Sequence, residues 1–479
     1  MDASETRILP GLYPVPLFGA KGDGLANDTA ALQAAIDACG KAGGGQVLVP
    51  PGTYRTGTLH LRDRVDLHLL AGATLLGSPD RADYNADDIY PESQAFTVEN
   101  VTAAHLIIGY GITGAAITGN GTIDGNSKVF FGPLPADKPA DGYRYKRANF
   151  PILDWRPGQM VWFCNCRDVA VRDVSLVNAP YWTIMFFGCE DVRVRGLRIT
   201  NPSETANGDG IDVDCCRDVT ISDCLIATGD DCITLRGNSA RLGREQPCEN
   251  VVVSNCVLRT PCNCVRVGVG DGIVRNCSLT NLVMTEGRTG INVVCRYSNR
   301  SPRGTRIENI SFANLTMDVV VPLHLIHSIH TPDLDPEAGV RGLSIRGVRA
   351  QAVAGSYIGG TPENPARGVC LQDWDLHLSG GTDNETLVGE VPFPYRTDSC
   401  PGIDGRPALP AAVYARYVQG LRFLDFRVYW GESLGKVWRH AIWLEDGVAV
   451  EPPDPMPPAP PVGGGSSAVR LLRCARPPR

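Results

Sequence analysis

Several things this chain lacks bound what it can be. It has no run of eighteen apolar residues, the minimum for a helix that crosses a bilayer, so no membrane partner is expected. It has no excess of positive charge: 45 Lys and Arg against 52 Asp and Glu give a formal net charge of −7, which argues against nucleic acid as a partner. Its first residues, Met1-Asp-Ala-Ser-Glu5, lack the basic start and apolar core of a secretory leader, and a reducing cytoplasm is the expectation. Aromatic residues are scarce at 7%. The cysteine pairs Cys164-Asn-Cys166 and Cys262-Asn-Cys264 lack the two-residue spacers and partner histidines of a zinc site, so neither metal nor cofactor is expected.

What is present is repetition. Cys166-Arg-Asp-Val-Ala-Val171, Cys189-Glu-Asp-Val-Arg-Val194, Cys216-Arg-Asp-Val-Thr-Ile221 and Cys248-Glu-Asn-Val-Val-Val253 read alike at intervals of 23, 27 and 32 residues. Weaker echoes follow at Ile307, Leu343 and Leu421. Short alternating runs rich in Val and Ile, separated by Gly, Asn and Asp, predict half-buried strands joined by turns. Strands in units of this length satisfy their backbones only by pairing with the coil above and the coil below, which predicts a parallel β-helix. A propeller or a sandwich fits the period less well.

Seventeen cysteines would suggest disulfides, but Cys166, Cys189, Cys216 and Cys248 share one phase of the repeat, and Cys224, Cys256 and Cys277 are read as sharing another. A ladder of small buried thiols is expected. Residues 28–39 predict an amphipathic helix that caps the open end, with Asp28 as N-cap and Gly40 as its stop. One β-helix domain is expected over residues 1–450, followed by a mobile Pro/Gly-rich tail over 451–479.

Carboxylates cluster in two turns. Asn207-Gly-Asp-Gly-Ile-Asp212 is followed, 21 residues after Asp209, by Gly229-Asp-Asp-Cys-Ile233, about one coil on. Acids brought that close cannot all stay ionised, which would supply a proton donor for glycoside cleavage. Asp is also an ordinary turn residue, and for Asp212 and Asp214 a structural role competes evenly with a functional one.

From Phe18-Gly-Ala-Lys-Gly-Asp23 through Gly119-Asn-Gly-Thr-Ile-Asp-Gly125 and Ala179-Pro-Tyr-Trp-Thr-Ile184 to the two acidic turns, the chain resembles the glycoside hydrolases of the polygalacturonase type, family 28. The resemblance implies a single-stranded right-handed parallel β-helix and inverting hydrolysis of pectin-related oligosaccharides. It also implies Asp230 as general acid, with Asp209 and Asp231 activating water. The chain departs from the family pattern where substrate is gripped. Pro261-Cys-Asn-Cys264 stands for Gly-His-Gly, and Asn292-Val-Val294 stands for Arg-Ile-Lys.

Arg236, Arg266, Arg288 or Arg296 could supply a cation by another route, or could be surface arginines on outward strand positions. Asn207, Asn263 and Asn292 are candidates for polar contacts to sugar, and one of His324, His327 and His330 for a donor. Trp182 and Tyr297, with Tyr181, Tyr357 and Trp374, are candidates for ring stacking. A β-eliminating lyase with Arg266 as base, and a non-catalytic carbohydrate-binding solenoid, are the alternatives.

Overall fold

The structure, a computed structural model, describes residues 11–86, 89–93, 95, 97–135, 148–297, 303–328, 335–383, 408–462 and 465–475. The chain is a right-handed parallel β-helix: every ladder between its named strands is parallel, and each strand pairs with one a coil earlier or later. No helix among the described residues is long and apolar enough to cross a membrane.

The sequence repeat acquires a physical meaning at the corners. In Cys-Arg-Asp-Val and its relatives the third residue takes positive φ: Asp168, Asp191 and Asp218 occupy one row of the first part of the chain, and Asp173, Gly196 and Asp223 the next. Later coils do the same. Asn255, Asn281, Asn314, Gly347, Asp373 and Asp425 occupy equivalent positions and all lie in the left-handed region. Asn, Asp and Gly tolerate that conformation, whereas other residues meet a clash of Cβ with the backbone. The asparagines also bond along the stack, Asn281 donating to Asn255 Oδ1 at 3.1 Å and Asn314 to Asn281 at 3.2 Å.

Two compact units divide the chain. The first comprises Met1–Pro139, Arg147–Asp212 and Cys216–Gly229. Its interior is a stack of residues such as Val169, Val192 and Val219, aligned by register and all fully buried. Helix Thr29–Lys41 buries Leu32, Ala35, Ile36 and Cys39 against strands Leu12–Pro14, Gly45–Val49 and Val65–Leu69. It runs through Gly40 rather than stopping there. Asp28 stands at the N-cap position but does not cap. Its carboxylate accepts the N–H groups of Lys21 and Gly22 at 2.8 and 3.0 Å, fixing the preceding loop instead.

The second unit comprises Ala140–Lys146, Val213–Cys215 and Asp230–Arg479. Val265 and Val267 stack on Ile291 and Val293, and these on Leu323 and Leu325, to form its core. The stretch expected as a mobile tail differs: Ser467–Leu472 is a strand paired in parallel with His440–Val448, and Trp430 Nε1 donates to Pro458 O. The alternation Ala468-Val-Arg-Leu-Leu472 was enough to add a rung, despite the prolines before it.

All sixteen described cysteines are free thiols, fifteen of them buried. Cys166, Cys189 and Cys216 stack in phase as expected. Cys277 does not share the row of Cys256: it lies opposite Val251, while Cys256 faces Leu282.

Candidate active site

The second unit carries a charged cluster built from three successive turns and strands. Asp230 and Asp231 sit in the turn that enters strand Ile233–Gly237, and Cys262 and Asn263 occupy the same place before and at the start of Asn263–Gly270. Asp231 is fully buried, and its burial is made tolerable by two partners. Asn263 Nδ2 donates to its Oδ1 at 2.5 Å, and Arg266 Nε lies 2.9 Å from its Oδ2. The second contact is an ion pair whose N–H does not point squarely at the oxygen, so it acts by charge more than by alignment. Asn292 then donates to Asn263 Oδ1 at 2.8 Å, completing a chain Asn292–Asn263–Asp231.

Asp230 is half-buried, and its Oδ1 accepts the Asp231 N–H at 3.1 Å. A carboxylate oxygen of each aspartate and the Cys262 sulfur lie within 4.8 Å of one another. Arg288 Nη2 donates to Cys262 Sγ at 3.0 Å. Burial pushes the Cys262 thiol well above its usual range, opposed by Arg288 and reinforced by Asp230 and Asp231, so it stays protonated and unreactive. Burial alone would lower Arg266, but Asp231 together with Tyr297, Cys262 and Asp230 outweighs it and holds the guanidinium above its ordinary value. Arg266 also lies 4.8 Å from the ring centre of Tyr297, which is 41% exposed. Asp230, Asp231 and Cys262 are the groups near enough to share a cation. With Arg266 on Asp231 and Arg288 on the sulfur, the set is already served by positive charge and suits proton transfer.

The first unit holds Asp209. It is 3% exposed, and its carbonyl accepts the Thr183 N–H at 2.8 Å. The turn before it is fastened by Arg156, a wholly buried guanidinium. Arg156 donates to the carbonyls of Glu99 (2.8 Å), Asn100 (3.4 Å), Pro180 (3.1 Å) and Ala206 (2.6 Å), and to Asn207 Oδ1 (3.1 Å). It also lies 4.9 Å from the ring centre of Tyr181, whose hydroxyl donates to Glu99 at 2.5 Å. Burial lowers the proton affinity of Arg156, while the charges of Tyr181, Glu99 and Asp209 act the other way.

Of the residues singled out from sequence, the structure brings Asp230, Asp231, Asn263, Arg266, Asn292 and Tyr297 into one cluster. Arg236 is buried with Nε on Thr234 Oγ1 at 3.0 Å, and Arg296 is half-buried at the end of strand Ile273–Arg296. Asn207, with positive φ, serves the Arg156 anchor. Trp182 is 9% exposed and stacked on Tyr181 at 5.2 Å, which leaves its face to a neighbour rather than to a sugar. Tyr357 and Trp374 are fully buried.

His324 and His327 do not converge. His324 faces outward with Asn292, whereas His327 is wholly buried, donating from Nδ1 to Asn364 O at 2.9 Å and accepting the Val340 N–H at 3.0 Å. His330 lies outside the described residues. Sequence reasoning named Arg288 as a possible cation but missed Cys262 and Arg156 as members of the two sites. For Arg156 no signal was available, because backbone carbonyls leave no mark in a sequence.

Comparison with known proteins finds polygalacturonases. A probable polygalacturonase of Vitis vinifera is 26% identical over 381 residues, covering 76% of this chain and 73% of its own length. An exo-poly-alpha-D-galacturonosidase of Dickeya chrysanthemi is 28% identical, covering 74% of this chain and 64% of its own. Among solved structures, the exopolygalacturonase of Thermotoga maritima superposes with a TM-score of 0.63 at 23% identity, covering 78% of this chain and 88% of that one. The profile of Glycosyl hydrolases family 28 matches residues 39–322, and the chain is therefore a glycoside hydrolase that belongs to that family.

Proposed function

We propose that the protein cleaves O-glycosidic bonds of pectin-derived, acidic oligosaccharides by single displacement with inversion. Asp230 delivers the proton to the leaving oxygen. The observation that supports this is Asp231: a fully buried carboxylate paired with Arg266 and hydrogen-bonded by Asn263, directly beside half-buried Asp230. Two carboxyl groups side by side favour one proton shared between them, as a general acid requires. The two carboxylates approach within 4.8 Å, closer than the ~6.5–9.5 Å that lets an inverting pair hold water between its members. Water activation is the role that the family resemblance implies for Asp209 and Asp231. Arg288, half-buried against Cys262, takes the place of the cations absent at Asn292 and Val294 as the partner of a sugar carboxylate.

The test compares two substrates. Asp230→Asn lowers kcat/KM on an oligogalacturonide by about 10²–10⁴-fold. It lowers it far less on an aryl glycoside whose leaving group needs no proton, while Asp209→Asn loses similar activity on both. Equal losses for Asp230→Asn on the two substrates would remove it from the acid role.

A further inference from the structure

Asp124, near the end of the motif at residues 119–125, takes no part in the charged cluster. It closes strand Thr122–Asp124 of the first unit, which pairs with Ser175–Val177, and that strand in turn with Arg198–Thr200. The turns leaving these strands therefore stand on successive coils, and the last of them runs from Asn201 and Pro202 to Asp209. Beside them lies a cavity of about 400 Å³ with Asp124, Asn126, Asn178, Phe131, Phe150 and Pro202 in its walls. That size falls within the ~300–1,000 Å³ of small-ligand sites. It opens to solvent, since Phe150 and Pro202 are only half-buried and Lys128, also in the lining, is exposed.

One wall is made of rings. Phe131 and Phe150 meet at 6.1 Å with 38° between their planes. A short antiparallel ribbon holds them: Phe131 bridges to Ile152, Gly132 N–H donates to Pro151 O at 2.9 Å, and Leu153 N–H to Phe130 O at 2.9 Å. Two contacts tie this wall to the turn that carries Asp209. Phe150 N–H donates to Glu204 O at 3.0 Å, and the Arg156 guanidinium that anchors Ala206 and Asn207 lies 5.9 Å from the ring centre of Phe131.

The other wall is polar and rich in acceptors. Asp124 Oδ1 accepts the Asn126 N–H at 2.8 Å and Asn178 Nδ2 at 3.1 Å, while Asn126 Nδ2 donates to Gly77 O at 2.9 Å. Both side-chain amide nitrogens are thus engaged. The Asp124 Oδ2 and the side-chain oxygens of Asn126 and Asn178 accept no hydrogen bond among the described residues. Such a wall suits hydroxyl groups, which donate. A sugar carboxylate only accepts, and would meet like charge at Asp124. Lys128 does not offset this, because an exposed ammonium stays strongly hydrated.

We propose that this cavity is a subsite for a neutral sugar residue, whose apolar face packs against Phe131 and Phe150 while its hydroxyls donate to Asp124, Asn126 and Asn178. The inference rests on the hydrolase reading above and adds to it one unit of the substrate: an acidic oligosaccharide that also carries an uncharged sugar.

The experiment titrates pentasaccharides onto the Asp230→Asn protein by calorimetry. One is all galacturonate, and two others carry galactose in place of the galacturonate at one end or the other, an exchange that removes the carboxylate and keeps the ring. One mixed pentamer is expected to bind about tenfold more tightly than the all-uronate one, as charge-assisted hydrogen bonds to Asp124 imply. Equal or weaker binding of both mixed pentamers overturns the subsite.

Asp124→Asn, added to the same protein, keeps an oxygen for the Asn126 N–H and removes the charge. It should weaken the preferred mixed pentamer about tenfold and tighten the all-uronate one, opposite effects that a merely disturbed fold does not produce. Equal effects on the two also overturn the subsite. Absence of turnover of all three pentamers by the native protein overturns the hydrolase reading, a failure that the binding titration tells apart from failure of the cavity.

Discussion

At the scale of single residues the charged cluster depends on one fully buried carboxylate, that of Asp231. Arg266→Met leaves the Asp231 charge without its cation, which costs about 3–5 kcal/mol of stability. Chemical denaturation should show that loss, and should show most of it restored in Arg266→Met/Asp231→Asn, because the pair is then removed as a whole. Arg156→Met removes five hydrogen bonds, to four carbonyls and to Asn207, of which the one to Pro180 is wholly buried. A buried acceptor left without a donor costs roughly 1–3 kcal/mol. Its effect on turnover should fall mainly on kcat, since it anchors the turn carrying Asp209. A pure rise in KM would contradict that.

His327 sets a pH limit. Burial lowers it from its ordinary value to about 4, and both ring nitrogens are used in the neutral form. Its contribution is therefore complete above pH ~6.5 and is lost as pH falls toward 4, at most roughly 3 kcal/mol. Melting temperatures recorded between pH 7.5 and 4 should drop for the native protein, and the part due to this residue should vanish in His327→Gln. The aspartates were legible from sequence because acids in adjacent repeats stand out. Arg288 was legible as a candidate cation, but its partner was not, because that required knowing that Cys262 points toward it.

At the scale of elements, the corners carry the argument. Asn281 combines positive φ with a side-chain ladder to Asn255 and Asn314. Asn281→Ala should cost about 1–2 kcal/mol from the left-handed backbone alone. Asn281→Gly should cost less than Asn281→Ala, since glycine keeps the conformation and forfeits only the amide bonds. The reverse order in urea melts would show that side-chain bonding, not backbone shape, governs the corner. The repeat betrayed these positions as Asp or Asn before Val, and the strands were legible for the same reason. The role of Asp28 was not legible, because a carboxylate before a helix looks the same whether it binds forward to the helix or back to the loop.

At the scale of the molecule, fold class and period were written in the sequence, since a motif returning every 23 to 32 residues leaves few architectures open. The last rung at Ser467–Leu472 was hidden by the prolines of residues 451–462, whose composition masks a short apolar alternation beyond them. Because coils bond only to adjacent coils, stability accumulates locally. Calorimetry should record a van't Hoff enthalpy below the calorimetric one, in keeping with two compact units melting separately.

The helix Thr29–Lys41 gives this local pairing a direction in time. It precedes most of the windings in chain order and packs on strands Leu12–Pro14 and Gly45–Val49. During synthesis it is thus made before the windings that follow it, and each of those meets a template already waiting for it. Growth can proceed like zipping, with little exposed edge at any moment.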